Sequence, residues 1–228
     1  MATRATGCSA VSLATQLRLC GQNGLVEIYS HWHTLEVTEP ALRERLPAHT
    51  VDQLADAIQF AVLQHGDQRR PTGVPYLEHL LEALEVLVAG AGVTDPDVLT
   101  AAVLHDVIED TSCTGVMIAE RFGSQVAELV QWVTIPEPGP GEDRWAVKHA
   151  SLRRLAQAPR DAVLVKLADR VSNVQTLRNL AEDRQRTYYA QTVTYIIPLA
   201  ADEPWFKSWY QTWQAEHADL AAPFAQPI

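Results

Sequence analysis

Cysteine is scarce in this 228-residue sequence, which holds only Cys8, Cys20 and Cys113. Three thiols so scattered cannot build a disulfide framework or a cysteine zinc site, and a reducing compartment is expected. Basic charge is also short, with 18 Lys and Arg against 28 Asp and Glu and a formal net charge of −10. Long-range repulsion then disfavours nucleic acid and anionic membranes as partners, and any phosphate site must be a local basic patch. No apolar run approaches the roughly 18 residues of a membrane span. Gln16 and Arg18 interrupt the weakly apolar stretch after Arg4 before it becomes a signal-peptide core. A soluble, cytoplasmic protein is expected. Alternating apolar and polar residues are missing as well, so the architecture expected is an all-α helical bundle.

Helical periodicity is what the chain has in quantity. Residues 1–48 read as a polar extension with short helices over 12–20 and 39–46, the second carrying Pro40 in its first turn. His31 and His33, on either side of Trp32, read as polar surface. Thr50 and Gln53 read as a capping box opening a helix that Gly66 ends. A loop rich in Arg, Pro and Gly leads to Pro75 and a helix through Val88, with His79 at its mouth. Asp95 and Pro96 start the next helix, and further helices are expected over 114–122, 125–133, 144–156, 161–180, 184–199 and 204–217. Trp205, Trp209 and Trp213 recur every fourth residue, a stripe better suited to core or dimer contact than to a cofactor shelf. A homo-oligomer is therefore among the possible assemblies.

The chain is organised around AAVLHDVIEDT, residues 101–111. This run is apolar enough to be buried, yet it carries His105, Asp106, Glu109 and Asp110. Buried carboxylates without partners cost several kcal/mol, roughly, so such groups are paired or hold a metal. On a continuous helix His105 and Asp106 point about 100° apart and can converge on one ion. Glu109 and Asp110 then stack a second carboxylate pair four residues on. The helix over 161–180 repeats the anomaly, with Asp169 and Asn173 on one face of an apolar stripe. His79, His105, Asp106 and Asp169 thus come from three predicted helices, and their mixed nitrogen and oxygen set suits manganese, iron or zinc rather than calcium.

The blocks HGDQRRPTGVPYLEH, AAVLHDVIEDT and VKLADRVSNV resemble the HD-domain metal-dependent phosphohydrolases. More narrowly they resemble the hydrolase domain of the RelA/SpoT alarmone enzymes, and above all the stand-alone small alarmone hydrolases. The resemblance runs from about residue 50 to about residue 200. It implies an HD-domain bundle over 49–200, an N-terminal helical extension of unknown role over 1–48, and a C-terminal helix and tail over 201–228 packed on the same domain. It also implies removal of the 3′ pyrophosphate from guanosine tetra- or pentaphosphate with Mn2+ held by His79, His105, Asp106 and Asp169. Glu109 and Asp110 match the catalytic acidic pair that orients or deprotonates the attacking water. Arg70 matches the arginine that packs on the guanine, Asn173 the asparagine near the ribose, and Tyr189 a tyrosine facing the nucleotide. Arg69 and Lys166 are further basic candidates.

Pro71 stands where many relatives carry a lysine, and no synthetase region follows. The same chemistry on adenosine alarmones, NADPH, pyrophosphorylated tRNA or nucleoside monophosphates remains an alternative. So does an antitoxin role, in which the partner would be a cognate toxic alarmone synthetase.

Overall fold

The structure is a computed structural model that describes residues 26–221. The helix expected over 12–20, with Cys8 and Cys20, lies outside the described residues. In chain order the helices are α1 (Leu35–Arg43), α2 (Ala48–His65), α3 (Tyr76–Glu85), α4 (Pro96–Leu104), α5 (Val107–Asp110) and α6 (Gly115–Phe122). They continue with α7 (Ser124–Val133), α8 (Arg144–Arg154), α9 (Arg160–Val174), α10 (Glu182–Gln191) and α11 (Pro204–Glu216). Among the described residues there is no strand, only one antiparallel bridge between Arg69 and Pro75. The all-α expectation is met. No helix among the described residues is long and apolar enough to cross a membrane.

Helix α4 is the inner element, every residue from Val98 to Leu104 being buried. Asp95 caps it, its carboxylate accepting from the N–H groups of Asp97 (2.9 Å) and Val98 (3.2 Å), and Pro96 takes the first helical position. It packs on α2, α3 and α7, and α9 lies across α3, α4 and α7. Leu99, Leu104, Leu81, Leu84 and Leu167 are fully buried where these helices meet. Each such side chain contributes about 1.5–3 kcal/mol by leaving water.

Several expected boundaries move. Helix α1 begins at Leu35, which puts Pro40 inside it rather than in its first turn. Helix α2 begins at Ala48, behind Pro47, so Thr50 and Gln53 form no capping box. Thr50 is buried instead, and the Gln53 amide donates to Thr100 Oγ1 on α4 (3.0 Å). Helices α3 and α10 each run on into one π turn, Val86–Gly90 and Thr192–Ile196. The expected continuous helix over 101–111 is broken at His105 and Asp106, leaving α5 as a single turn.

Residues 26–47 are built into the core. Tyr29, Trp32, Leu42 and Leu46 are buried. Gln175, just past α9, donates to the Tyr29 carbonyl (2.8 Å) and accepts from its N–H (2.7 Å). The buried Glu85 carboxylate accepts from the N–H groups of His31 (2.9 Å) and Trp32 (3.0 Å) and pairs with His31 Nδ1 (2.7 Å). His31 is thus exposed yet tied to the core, more than the surface residue expected, whereas His33 is exposed and bonds only locally, its Nδ1 lying 2.9 Å from the His31 carbonyl. Of the tryptophan stripe, Trp209 and Trp213 are core and Trp205 is half-buried against it. Trp213 Nε1 donates to the Val174 carbonyl (3.0 Å), Trp209 Nε1 to the Glu27 carbonyl (2.9 Å), and Trp205 meets Tyr29 edge-on at 5.5 Å.

Candidate metal centre

The break between α4 and α5 shapes the centre. His105 Nδ1 bonds the Ala102 carbonyl (2.8 Å), satisfying an acceptor that the end of α4 leaves open. Asp106, with φ −103° and ψ −4°, turns the chain, and its carbonyl accepts from the Asp110 N–H (2.9 Å) to close α5. The turn brings Asp106 Oδ2 to 3.0 Å from His105 Nε2. His79, from the first turns of α3, places its Nε2 3.1 Å from His105 Nε2 and 3.3 Å from Asp106 Oδ2. Asp169, on α9, brings Oδ1 to 3.4 Å from His79 Nε2 and 3.5 Å from His105 Nε2. Asp106 and Asp169 thus each approach both imidazoles, and His79, His105 and Asp169 are buried.

Each of the four is held from behind. His79 Nδ1 bonds Ser172 Oγ (2.8 Å), and Ser172 donates its proton to Glu82 Oε2, which also takes Arg70 Nη1 at 2.8 Å. The Tyr76 hydroxyl donates to Asp106 Oδ2 (2.5 Å). Lys166 Nζ donates to Asp169 Oδ2 (2.7 Å) and Asn173 Nδ2 to Asp169 Oδ1 (2.5 Å). Such outer contacts fix tautomer and direction in metal sites. Tyr76 and Ser172 were not singled out from the sequence. Their only signal is a three-residue spacing to His79 and Asp169, which puts each on its ligand's helical face.

The hydrogen bonding calls for a cation. Both Nδ1 atoms are engaged with acceptors, His105 with a carbonyl and His79 with a hydroxyl whose proton is committed to Glu82. Both rings therefore turn Nε2 inward, 3.1 Å apart and facing the Asp106 and Asp169 carboxylates, a pocket that favours positive charge between them. Burial pushes His105 down, but Asp106 and Asp169 outweigh it and hold the imidazole well above its ordinary range. Burial likewise pushes Asp106 and Asp169 up, yet the histidines, with Lys166 beside Asp169, hold both carboxyls well below theirs. Donor separations of 3.0–3.5 Å match those around an ion about 2.1 Å from nitrogen and oxygen. His79, His105 and Asp106 thus group closely enough to fit a divalent transition metal, with Asp169 Oδ1 facing both imidazoles.

The model of the HD domain family matches residues 57–203. The chain belongs to the HD-domain family. It is a metal-dependent phosphohydrolase. Within the family it is 37% identical over 144 residues to a human protein named guanosine-3′,5′-bis(diphosphate) 3′-pyrophosphohydrolase MESH1, covering 60% of this chain and 79% of that one. An Aquifex aeolicus protein named guanosine-3′,5′-bis(diphosphate) 3′-pyrophosphohydrolase is 36% identical over 173 residues, covering 73% of this chain. The Escherichia coli bifunctional (p)ppGpp synthase/hydrolase SpoT is 32% identical over 171 residues, covering 74% of this chain. The chain spans about a quarter (24%) of the length of each of these last two. A solved structure titled "A metazoan ortholog of SpoT hydrolyzes ppGpp and plays a role in starvation responses" superposes with a TM-score of 0.65 at 26% identity, covering 72% of this chain and 95% of the other.

Around the HD centre, Glu109 and Asp110 stand exposed at the rim. Glu109 Oε2 accepts from the Ile135 N–H (3.0 Å), and Asp110 Oδ2 from Gln68 Nε2 (2.9 Å). The break at His105 and Asp106 separates His105 from Glu109, while Asp106 and Asp110 stay one helical turn apart through the bond from the Asp110 N–H to the Asp106 carbonyl. Partial desolvation, with the charges of Asp106 and Asp110 behind it, raises Glu109 above the ordinary glutamate range. Arg70 is half-buried against Glu82, while Arg69 is exposed and donates to the Gly73 carbonyl (2.8 Å). Lys166 is buried, its ammonium committed to Asp169 rather than open. Tyr189 departs from the sequence reading. Its ring is buried and stacked on Trp213 at 5.5 Å, and the half-buried neighbour Tyr188 instead meets Arg170 (5.3 Å) and Lys148 (6.0 Å). Adjacent helical residues point about 100° apart, so Tyr188 and Tyr189 meet different neighbours.

Proposed function

We propose that this HD domain removes the 3′ pyrophosphate from guanosine tetra- or pentaphosphate, giving GDP or GTP and pyrophosphate, with Mn2+ as the ion. The carrying observation is the pair of inward Nε2 atoms 3.1 Å apart between two carboxylates, with a glutamate of raised pKa at the rim. The activity for which the human and Aquifex relatives are named supports the choice of substrate.

His79, His105, Asp106 and Asp169 hold the ion in this reading. When bound, it supplies positive charge that polarises a phosphate oxygen and acidifies water. Glu109 accepts the proton of the attacking water, a task suited to a carboxylate whose pKa lies above the ordinary range. Asp110 orients that water. The water oxygen bonds to the phosphorus carried on the ribose 3′ oxygen, the bond from that phosphorus to the 3′ oxygen breaks, and the 3′ oxygen leaves as the hydroxyl with the proton that Glu109 took from the water. Arg70 packs on the guanine, Asn173 lies by the ribose, and Arg69 and Lys166 add positive charge for the phosphates. Lys166 acts through Asp169, to which it is paired at 2.7 Å.

Incubation with guanosine tetraphosphate, with and without Mn2+, followed by chromatography, tests the proposal. GDP and pyrophosphate in equal amounts, formed only with Mn2+, are expected. Release of orthophosphate, or turnover of NADPH, adenosine alarmones or a nucleoside monophosphate in its place, would overturn the substrate assignment.

A further inference from the structure

Two residues with no assigned role, His65 and Gln68, form a line of hydrogen bonds to the acidic rim. Gly66, at φ 53°, turns the chain out of α2, and the loop that follows closes on itself through the bond from the Tyr76 N–H to the Gln68 carbonyl (3.0 Å). The Gln68 N–H is tied to the His65 carbonyl (3.0 Å), so the Gln68 backbone is fixed on both sides. Its side chain then links two groups with opposite needs. His65 Nδ1 lies 2.7 Å from Gln68 Oε1, and Gln68 Nε2 lies 2.9 Å from Asp110 Oδ2.

We propose that Gln68 is a positioning residue for Asp110, its amide held the right way round by His65. A carboxylate only accepts, so the amide must present its NH2 to Asp110. The carbonyl end must then find a donor, and His65 Nδ1–H is that donor. Burial keeps His65 below its ordinary range and therefore neutral, with one N–H. Its Nε2 is buried without a partner, as fits the unprotonated nitrogen. The ring is held flat against Tyr76 at 4.6 Å, and the Tyr76 hydroxyl reaches the metal ligand Asp106. One imidazole thus stands behind both a rim acid and a ligand of the centre. This inference rests on the proposed role of Asp110 in orienting water.

Gln68→Met keeps the length and removes the donor, and His65→Phe keeps the stack on Tyr76 and removes the proton. Loss of one hydrogen bond to a charged group predicts that Gln68→Met lowers kcat on guanosine tetraphosphate about tenfold or more, with KM and Mn2+ affinity unchanged. A smaller loss is expected in His65→Phe. Asp110→Asn combined with Gln68→Met should be no slower than Asp110→Asn alone. A raised KM with unaltered kcat would mean that Gln68 only anchors the loop bearing Arg69 and Arg70, and would overturn the proposal. Independent losses that multiply in the double variant would do the same. The Gln68 side-chain amide resonance gives a readout without turnover. It should be shifted and slow to exchange in the full-length protein, and both features should vanish in Asp110→Ala. If the wild type ignores guanosine tetraphosphate while this signal behaves as predicted, the substrate fails and the link stands. A free, fast-exchanging amide overturns the link whatever the substrate.

Discussion

At the scale of single residues, the centre depends on which atom each side chain turns inward. His79 and His105 offer Nε2 because Ser172 and Ala102 occupy their Nδ1 atoms, and Asp106 is steered by the Tyr76 hydroxyl. Burial and the nearby charge of Asp106 hold the Tyr76 phenol far above its ordinary range, so it remains a donor. Tyr76→Phe should therefore lower divalent-metal affinity about 10- to 100-fold, measured by calorimetric titration, while leaving the fold intact. His105, Asp106 and Asp169 were legible in the sequence because ionisable groups inside an apolar stripe are costly and conspicuous. Their supports were not. Tyr76, Ser172, Gln68 and His65 act through tertiary contacts, and nothing in their local pattern separates them from ordinary helix and loop residues. Tyr189 sits in the core against Trp213, a long-range contact that its place in the sequence does not reveal.

At the scale of elements, helix existence followed from periodicity, while boundaries followed from tertiary partners. Asp95 and Pro96 were read correctly as the start of α4, because capping is a local interaction. Asp95→Ala should cost about 1 kcal/mol, seen as a lowered midpoint in urea with an unchanged slope. Thr50 and Gln53 misled because both face α4, where burial of Thr50 and the Gln53 bond to Thr100 outweigh a cap. The break at His105 was hidden for a similar reason. No glycine or proline marks it, and it arises from a histidine that bonds back to Ala102. That break, rather than helical stacking, is what puts Asp106 beside His105.

At the scale of the whole molecule, the HD match begins at residue 57, yet the stretch over 26–47 buries Tyr29, Trp32, Leu42 and Leu46 against it. Its sequence reads as a loosely patterned polar extension because its apolar residues keep no single helical period. Their contacts are long-range, to Glu85 at the end of α3, to Gln175 after α9 and to the tryptophans of α11. Trp32→Ala should destabilise the protein by about 3–5 kcal/mol, with one cooperative thermal transition moved to lower temperature. A separate early transition, with the main one unmoved, would show that this stretch folds apart from the rest.

One ion gathered by His79, His105, Asp106 and Asp169 is the claim on which the chemistry stands. Titration of the metal-free protein with Mn2+, followed by electron paramagnetic resonance of the unbound ion, measures it directly. The account predicts one tight site per chain in the wild type and its loss in both His79→Ala and Asp169→Ala. Tight binding that survives either substitution, or a wild type that binds no Mn2+, would contradict it.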